Sequence, residues 1–173
     1  MASGDFLFSG DGRSALLPVT LNAQFTVISG GSTPVEQLVV ANFDASATEF
    51  ADFFIPALPP NYSGGGLSIT IVLSMTSDNG GAHKVRVNAA IRRLDSAEVY
   101  TASHSYAFNG VSITVPDATG KEVTGSITFT DGADMDSWAV GEPAILRIQR
   151  QHDHADDDAT GDMELRAFIG YEV

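Results

Sequence analysis

The stretch Leu67–Met75 reads LSITIVLSM, and its apolar and polar residues alternate along almost the whole segment. A period of two is typical of a strand with one buried and one wetter face, as antiparallel sheets require. The stretch therefore predicts an antiparallel β fold. The side chains expected on the buried face are Leu67, Ile69, Ile71, Leu73 and Met75.

The same alternation recurs on both sides of this stretch. It is clear at residues 84–94, 123–131 and 163–173, and weaker at 36–43, 49–57, 105–115 and 144–149. Turn-forming clusters rich in Gly, Pro, Asn and Asp separate these segments. Eight strands without a long amphipathic helix predict an all-β, eight-stranded antiparallel jelly-roll β-sandwich.

Two local details follow from the pattern. In the last strand, alternation places Ala167, Ile169 and Tyr171 on the buried face together with Met163 and Leu165. A short helical turn is expected within the sequence DGADMDSWAV (131–140), where Asp131 would cap it and Met135 and Trp138 would share one side. We expect this turn to close one end of the sandwich.

The first 34 residues differ from the rest. No charged residue occurs from Ser14 to Val35, and the apolar positions lack a clean period. The segment is either a ninth strand or an extended arm that lies on another subunit. We predict an arm at 1–34 and a sandwich domain at 35–173. The side chains expected to contact a subunit or capsid are Leu16, Leu17, Val19, Leu21, Phe25, Val27 and Ile28.

Composition excludes several classes of protein. The formal net charge of −13 argues against nucleic acid and against anionic membrane surfaces, which both attract basic proteins. No apolar run approaches the roughly 20 residues of a membrane helix, and the first residues do not resemble a signal peptide. The absence of cysteine excludes disulfides and thiolate chemistry.

The stretch Arg150–Asp162, RQHDHADDDATGD, combines two histidines with five aspartates. Calcium needs several oxygen ligands that converge on one point, and consecutive aspartates of an extended chain cannot all do so. If the loop curls, Asp153, Asp158 and Asp162 are the weak metal candidates. Otherwise the stretch is a solvated connection between two strands. We predict no metal and no cofactor, with a calcium-stabilised lectin-like domain as a further alternative.

No pattern of catalytic residues stands out, so we predict a protein without enzymatic activity. There is no GxSxG motif, and the sequence SGGG at 63–66 lacks the lysine of a phosphate-binding loop. A pair of carboxylates is uninformative in a chain with 22 acidic residues. Carbohydrate-binding sandwiches use exposed aromatic rings beside polar groups, and the candidate glycan contacts are Tyr62 and Tyr106.

Three stretches resemble a domain of bacteriophage virion proteins. They are FADFFIPALPPNYSGGGLSITIVLSMTS (50–77), VRVNAAIRRLD (85–95) and the segment from ITFTDGADMD to GYEV (127–173). Members of that group share a P-x-x-Y-x-G-G strand end, a DGA-x-MD turn and an Asp-rich loop before the final strand. The resemblance covers about Leu38 to Val173 and implies a jelly-roll decoration or cement protein of a phage head, with related domains in tail appendages.

The resemblance sets the functional expectation. We predict a decoration protein that binds the major capsid protein, forms a homotrimer and lies on the capsid surface of a virion after synthesis in the host cytoplasm. No nucleic acid and no membrane is expected as a partner. The alternative is a tail- or fibre-associated carbohydrate-binding module that recognises a receptor.

Overall fold

The computed structural model describes residues 4–77, 82–97 and 99–173. Within these ranges the chain forms ten strands and two short 3-10 turns, Gly12–Ser14 and Ala133–Met135. The strands are β1 (Phe6–Asp11), β2 (Gln24–Ser29), β3 (Gln37–Phe43), β4 (Glu49–Ile55), β5 (Leu67–Met75), β6 (Lys84–Arg93), β7 (Asn109–Thr114), β8 (Val123–Phe129), β9 (Ala144–Arg150) and β10 (Met163–Glu172). No helix of the described chain has the length and apolar character that crossing a membrane requires.

The strands form two antiparallel sheets that pack face to face, which confirms the predicted β-sandwich. The first sheet has the order β2-β3-β10-β5-β8, and the second has the order β4-β9-β6-β7. Strand β10 pairs with β5 along one edge and shares its other edge between β3 and β1. All eight strands expected from alternation are present, and β1 and β2 are added to them.

The core lies between the two sheets. The five alternating side chains of β5 are fully buried, and they face apolar residues of β6 and β9 such as Val87 and Ile148. The predicted turn forms at Ala133–Met135, and Met135 and Trp138 are both buried. The cap was predicted wrongly, because Gly132 occupies the N-cap position and no side chain caps the turn.

Strand β10 departs from simple alternation. Its register with β5 shifts between Leu165 and Ala167, which is a β-bulge that leaves one extra residue on β10. Beyond the bulge Phe168 lies opposite Ile71 and is buried, whereas Ala167, Ile169 and Tyr171 are only partly buried. The prediction that these three residues face the core is therefore wrong, because one inserted residue exchanges the two faces of a strand.

Much of the segment predicted as an extended arm belongs to the sandwich. Strand β1 pairs with β10, β2 pairs with β3, and isolated bridges join Leu16 to Asp52 and Asn22 to Phe50. The physical reason is that β10 and β4 would otherwise leave backbone groups without partners. The ninth-strand alternative is thus nearer to the structure, and a contact of this segment with another subunit stays a prediction.

The predicted contact residues of this segment differ in exposure. Leu17 packs against the core and Ile28 is half-buried. Val19 is almost completely exposed, at 99%. The remaining four side chains are about half exposed or more: Leu16, Leu21, Phe25 and Val27.

Candidate functional site

The solvent side of the second sheet carries a mixture of aromatic and polar side chains. On β4, alternation buries Ala51, Phe53 and Ile55 and turns the intervening residues outward. Strands β6 and β9 and the connection between β6 and β7 supply the rest of this surface. We call this surface the outer face. Its side chains are those of Phe50, Asp52, Phe54, Asn88, Arg92, Tyr106, Phe108, Arg147 and Gln149.

Arg147 lies at the centre of the outer face. Its Nε and Nη2 donate hydrogen bonds to the two carboxylate oxygens of Asp52, each at 2.7 Å. The guanidinium carbon lies 4.1 Å from the centre of the Tyr106 ring and 5.4 Å from that of Phe50. The hydrogen bonds to Asp52 raise the pKa of Arg147 above its ordinary value. The arginine is therefore fixed between a carboxylate and two rings, which is a rigid arrangement.

The connection between β6 and β7 brings further aromatic residues to the outer face. The Phe108 ring centre lies 6.0 Å from that of Tyr106 and 6.2 Å from that of Phe50. The Tyr100 ring lies over Arg92, with 5.3 Å between the guanidinium carbon and the ring centre. Burial raises the pKa of Tyr106, so its hydroxyl stays neutral well above physiological pH.

A row of amide groups runs beside the aromatic cluster. The Nδ2 of Asn88 donates to Oε1 of Gln149 at 3.0 Å and to Oε1 of Gln151 at 2.8 Å. Arg86 Nε donates to Oδ1 of Asn88 at 3.1 Å. Gly110 lies opposite Asn88, where a Cβ atom would overlap with that oxygen, so the glycine leaves room for the network.

A groove of about 650 Å³ adjoins the outer face at the C-terminal end of β4. Phe6 and Phe54, both more than half exposed, stand on its walls together with Tyr171. Asp11 also lines the groove, but its carboxylate already accepts hydrogen bonds from Arg13 and Ser14. The groove thus contributes aromatic surface, and Phe54 connects it to the outer face.

Tyr62, the other predicted glycan contact, lies at a different surface from Tyr106. Its hydroxyl donates to Oδ1 of Asp131 at 2.6 Å and accepts from the backbone N–H of Gly66 at 3.0 Å. Burial, followed by the hydrogen bond to Asp131, raises the pKa of Tyr62 to about 12. Its ring packs against the core and borders a separate depression of about 400 Å³ beside Trp138.

The Asp-rich loop is organised around an arginine. Arg150 is completely buried, and its Nε and Nη2 donate to the carboxylate of Asp157 at 3.1 and 2.8 Å. The same guanidinium donates to the carbonyl oxygens of Gly161 at 2.7 Å and Ala159 at 2.8 Å. The positive charge enclosed by this loop is therefore supplied by the chain itself.

The weak metal candidates do not converge. Asp158 accepts from the Lys84 backbone N–H at 2.7 Å, and this bond is the main cause that lowers the pKa of its carboxyl. Asp162 accepts from Asn42 Nδ2 and from the Ala45 backbone N–H. Asp153 does not join them. In the described part of the chain, no group of three or more His, Asp or Glu residues is arranged to hold a metal.

The geometry of the whole chain is similar to that of solved carbohydrate-binding domains. The CBM22-1 xylan-binding domain of Paenibacillus barcinonensis Xyn10C matches with a TM-score of 0.51 and 12% identity over 99% of this chain and 96% of that domain. This chain shares their β-sandwich fold. The CBM22-1-CBM22-2 tandem of the same protein gives a TM-score of 0.53 at 12% identity, covering 100% of this chain and 47% of the tandem.

At this level of identity the likeness shows the fold alone. No family model and no curated protein matches the sequence. The two solved structures named above consist of carbohydrate-binding modules, and what this chain shares with them is the β-sandwich. Sequence reasoning found Tyr106 but missed Asp52, Arg92 and Arg147, which come together only through the pairing of β4, β9 and β6.

Proposed function

We propose that this chain is a non-catalytic carbohydrate-binding module and that its outer face holds the glycan. The observation that carries the proposal is the combination, on one rigid sheet face, of partly exposed aromatic rings with amide and charged side chains. A sugar ring presents apolar C–H faces that stack on aromatic rings and hydroxyl groups that bond to polar neighbours. Phe54 and Phe108 offer the stacking surface, and the partly exposed Gln149 offers its amide group.

The engagement of Asp52 supports binding rather than hydrolysis. Glycosidases generally use two facing carboxyl groups, one as an acid and one as a base or nucleophile. Both carboxylate oxygens of Asp52 accept hydrogen bonds from Arg147, and this ion pair orders the surface. Such a pair favours recognition, because it presents fixed polar atoms to a ligand without releasing a free base.

A pair of phenylalanine variants tests the proposal. Phe54 is 52% exposed on the outer face, and Phe25 is 49% exposed on β2 at the edge of the first sheet. We expect Phe54→Ala to weaken binding to xylan about 2- to 13-fold, since aromatic stacking contributes about 0.5–1.5 kcal/mol. Phe25→Ala, which removes an equally exposed ring elsewhere, should leave binding unchanged. Affinity gel electrophoresis measures both.

Three further outcomes test the proposal. Gln149→Ala should also weaken binding, because its amide belongs to the same surface. If the unaltered protein is not retarded by any polysaccharide of a panel that includes neutral and acidic plant, algal and bacterial glycans, the proposal is wrong. Equal retardation of the Phe54 and Phe25 variants would place the site elsewhere on the molecule.

A second candidate function is decoration of a phage capsid by contact with the major capsid protein. The observation that favours it is the exposed apolar surface of the N-terminal segment, where Val19, Leu21 and Phe25 face solvent. Such side chains stabilise an assembly when many copies bind a lattice. Co-sedimentation with undecorated phage heads tests this function, and Val19→Asp together with Leu21→Asp should abolish the binding.

A further inference from the structure

Strand β2 is an edge strand without the usual protection. It pairs with β3 alone, and its register is unbroken from Gln24 to Ser29. Edge strands of native proteins commonly carry a lysine, a proline or a bulge that prevents pairing with another chain. The sequence QFTVIS of β2 contains no charge, no proline and no glycine. The strand is therefore open to addition of a further strand.

Comparable edges are closed by the chain itself. The N–H of Phe50 on β4 donates to Leu21 O at 2.8 Å, and Leu16 exchanges backbone bonds with Asp52. On β8, the side chain of Asn109 donates to Thr128 O at 2.8 Å. Of the edges formed by β2, β4 and β8, the β2 edge is therefore the one to which a further strand can be added with the least obstruction.

The direction of the free backbone groups on β2 follows from the hairpin. Gly30 N–H donates to Glu36 O at 2.8 Å next to the β2–β3 pairs. In an antiparallel ladder hydrogen-bonded pairs alternate, so Thr26 and Ile28 bond to β3. The N–H and C=O groups of Phe25, Val27 and Ser29 consequently point away from β3. Val27 lies in the middle of this free edge, and its side chain is 50% exposed.

The charge distribution argues for a second copy of the same chain as the occupant. The chain has a net charge of −13, so two copies that approach through most surfaces repel each other. From Ser14 to Val35 there is no charged residue. The β2 edge is thus a place where two identical acidic proteins meet without opposing like charges, and its apolar side chains gain burial there.

We infer that two copies of the chain associate through antiparallel pairing of their β2 strands about a two-fold axis. Such an interface is self-complementary: Val27 faces Val27 of the second copy, and Phe25 faces its Ser29. The antiparallel arrangement places the two hairpins at opposite ends of the interface, so the Glu36 side chains stay apart. The inference rests on the edge geometry and is independent of the proposed glycan binding.

The molar mass in solution tests this pairing. Sedimentation equilibrium over a range of protein concentrations should show a monomer–dimer equilibrium for the unaltered chain. Val27→Lys introduces two facing charges at the axis and should weaken dimerisation at least about tenfold. Val140→Lys is the matched control, because Val140 is 47% exposed but lies in the loop before β9. Circular dichroism checks that both variants remain folded.

A cross-linking measurement keeps the test decisive if the lysine variant does not fold. Because the chain has no cysteine, Val27→Cys creates a single thiol, and a short bismaleimide should link it to its counterpart. Val140→Cys should remain unlinked at the same concentration. A strictly monomeric chain, a trimer, or a dimer that Val27→Lys leaves intact and Val27→Cys does not cross-link would overturn the inference.

Discussion

At the scale of single residues, Arg150 accounts for one aspartate of the Asp-rich loop, Asp157. An arginine with 0% exposure is tolerated because Asp157 and two backbone carbonyls satisfy its guanidinium. In the sequence alone, the aspartates of this loop look like metal ligands, but no ion can be identified for them. The residue types that would signal a metal are visible in the sequence, but nothing in it shows that Arg150, seven positions before Asp157, turns its guanidinium into the loop. Distances between side chains decide such cases, and sequence spacing does not supply them.

We expect Arg150→Met to destabilise the protein by about 3–5 kcal/mol, since it leaves the buried Asp157 carboxylate without its counter-charge. Urea unfolding followed by circular dichroism measures the loss. Arg13→Met is the control, because the Arg13–Asp11 pair is exposed and its removal should change the unfolding midpoint little. Chelator should leave the melting temperature unchanged; a drop of several degrees would show that the loop depends on a cation after all.

At the scale of elements, β10 shows why local alternation is an incomplete guide. The apolar and polar residues of β10 alternate regularly in the sequence, and this alternation predicts that Ala167, Ile169 and Tyr171 lie in the core. The bulge is produced by pairing with β5, where Leu165 lies opposite Leu73 and Ala167 opposite Val72. The pairing with β5 therefore determines which face of the sheet Phe168 occupies. No residue of β10 indicates from the sequence that a bulge forms there. Where no bulge intervenes, as on β5, alternation predicted the buried side chains correctly.

The bulge makes a sharp prediction for two neighbouring residues. Phe168 is 1% exposed and its ring centre lies 4.8 Å from that of Phe53, so Phe168→Ala should cost about 3–5 kcal/mol. Ile169→Ala should cost less than half of that, because Ile169 is only partly buried. Guanidinium unfolding of both variants compares the losses. A larger loss for Ile169→Ala would mean that the strand keeps simple alternation.

At the scale of the whole molecule, the N-terminal segment connects the two sheets. It adds β1 and β2 to the first sheet and bridges β4 of the second, and it buries Leu7, Phe8 and Ala23. Its aperiodic sequence, which is uncharged only from Ser14 to Val35, gave no strand pattern, because its residues pair at three separate places rather than along one ladder. The outer face was equally hidden, since its members come from distant segments that only the strand order brings together.

Deletion of residues 1–34 therefore has a clear expected result. Without this segment the sandwich loses β1, β2 and several core side chains, so we expect residues 35–173 to lack a cooperative unfolding transition. Thermal unfolding and binding of a hydrophobic dye measure the effect. A truncated chain that unfolds cooperatively at the original midpoint would show that the segment is a dispensable arm.

The pairing of β1 with β10 has a consequence for the time course of folding. Phe6 lies opposite Tyr171, so the strand nearest one end of the chain needs a partner nearest the other. Closing so long a loop costs conformational entropy before the stabilising contacts can form. Sheets whose paired strands are distant in sequence therefore fold slowly. We therefore expect the β1–β10 pairing to form late, and until then β10 exposes a backbone edge on which unfinished chains can aggregate.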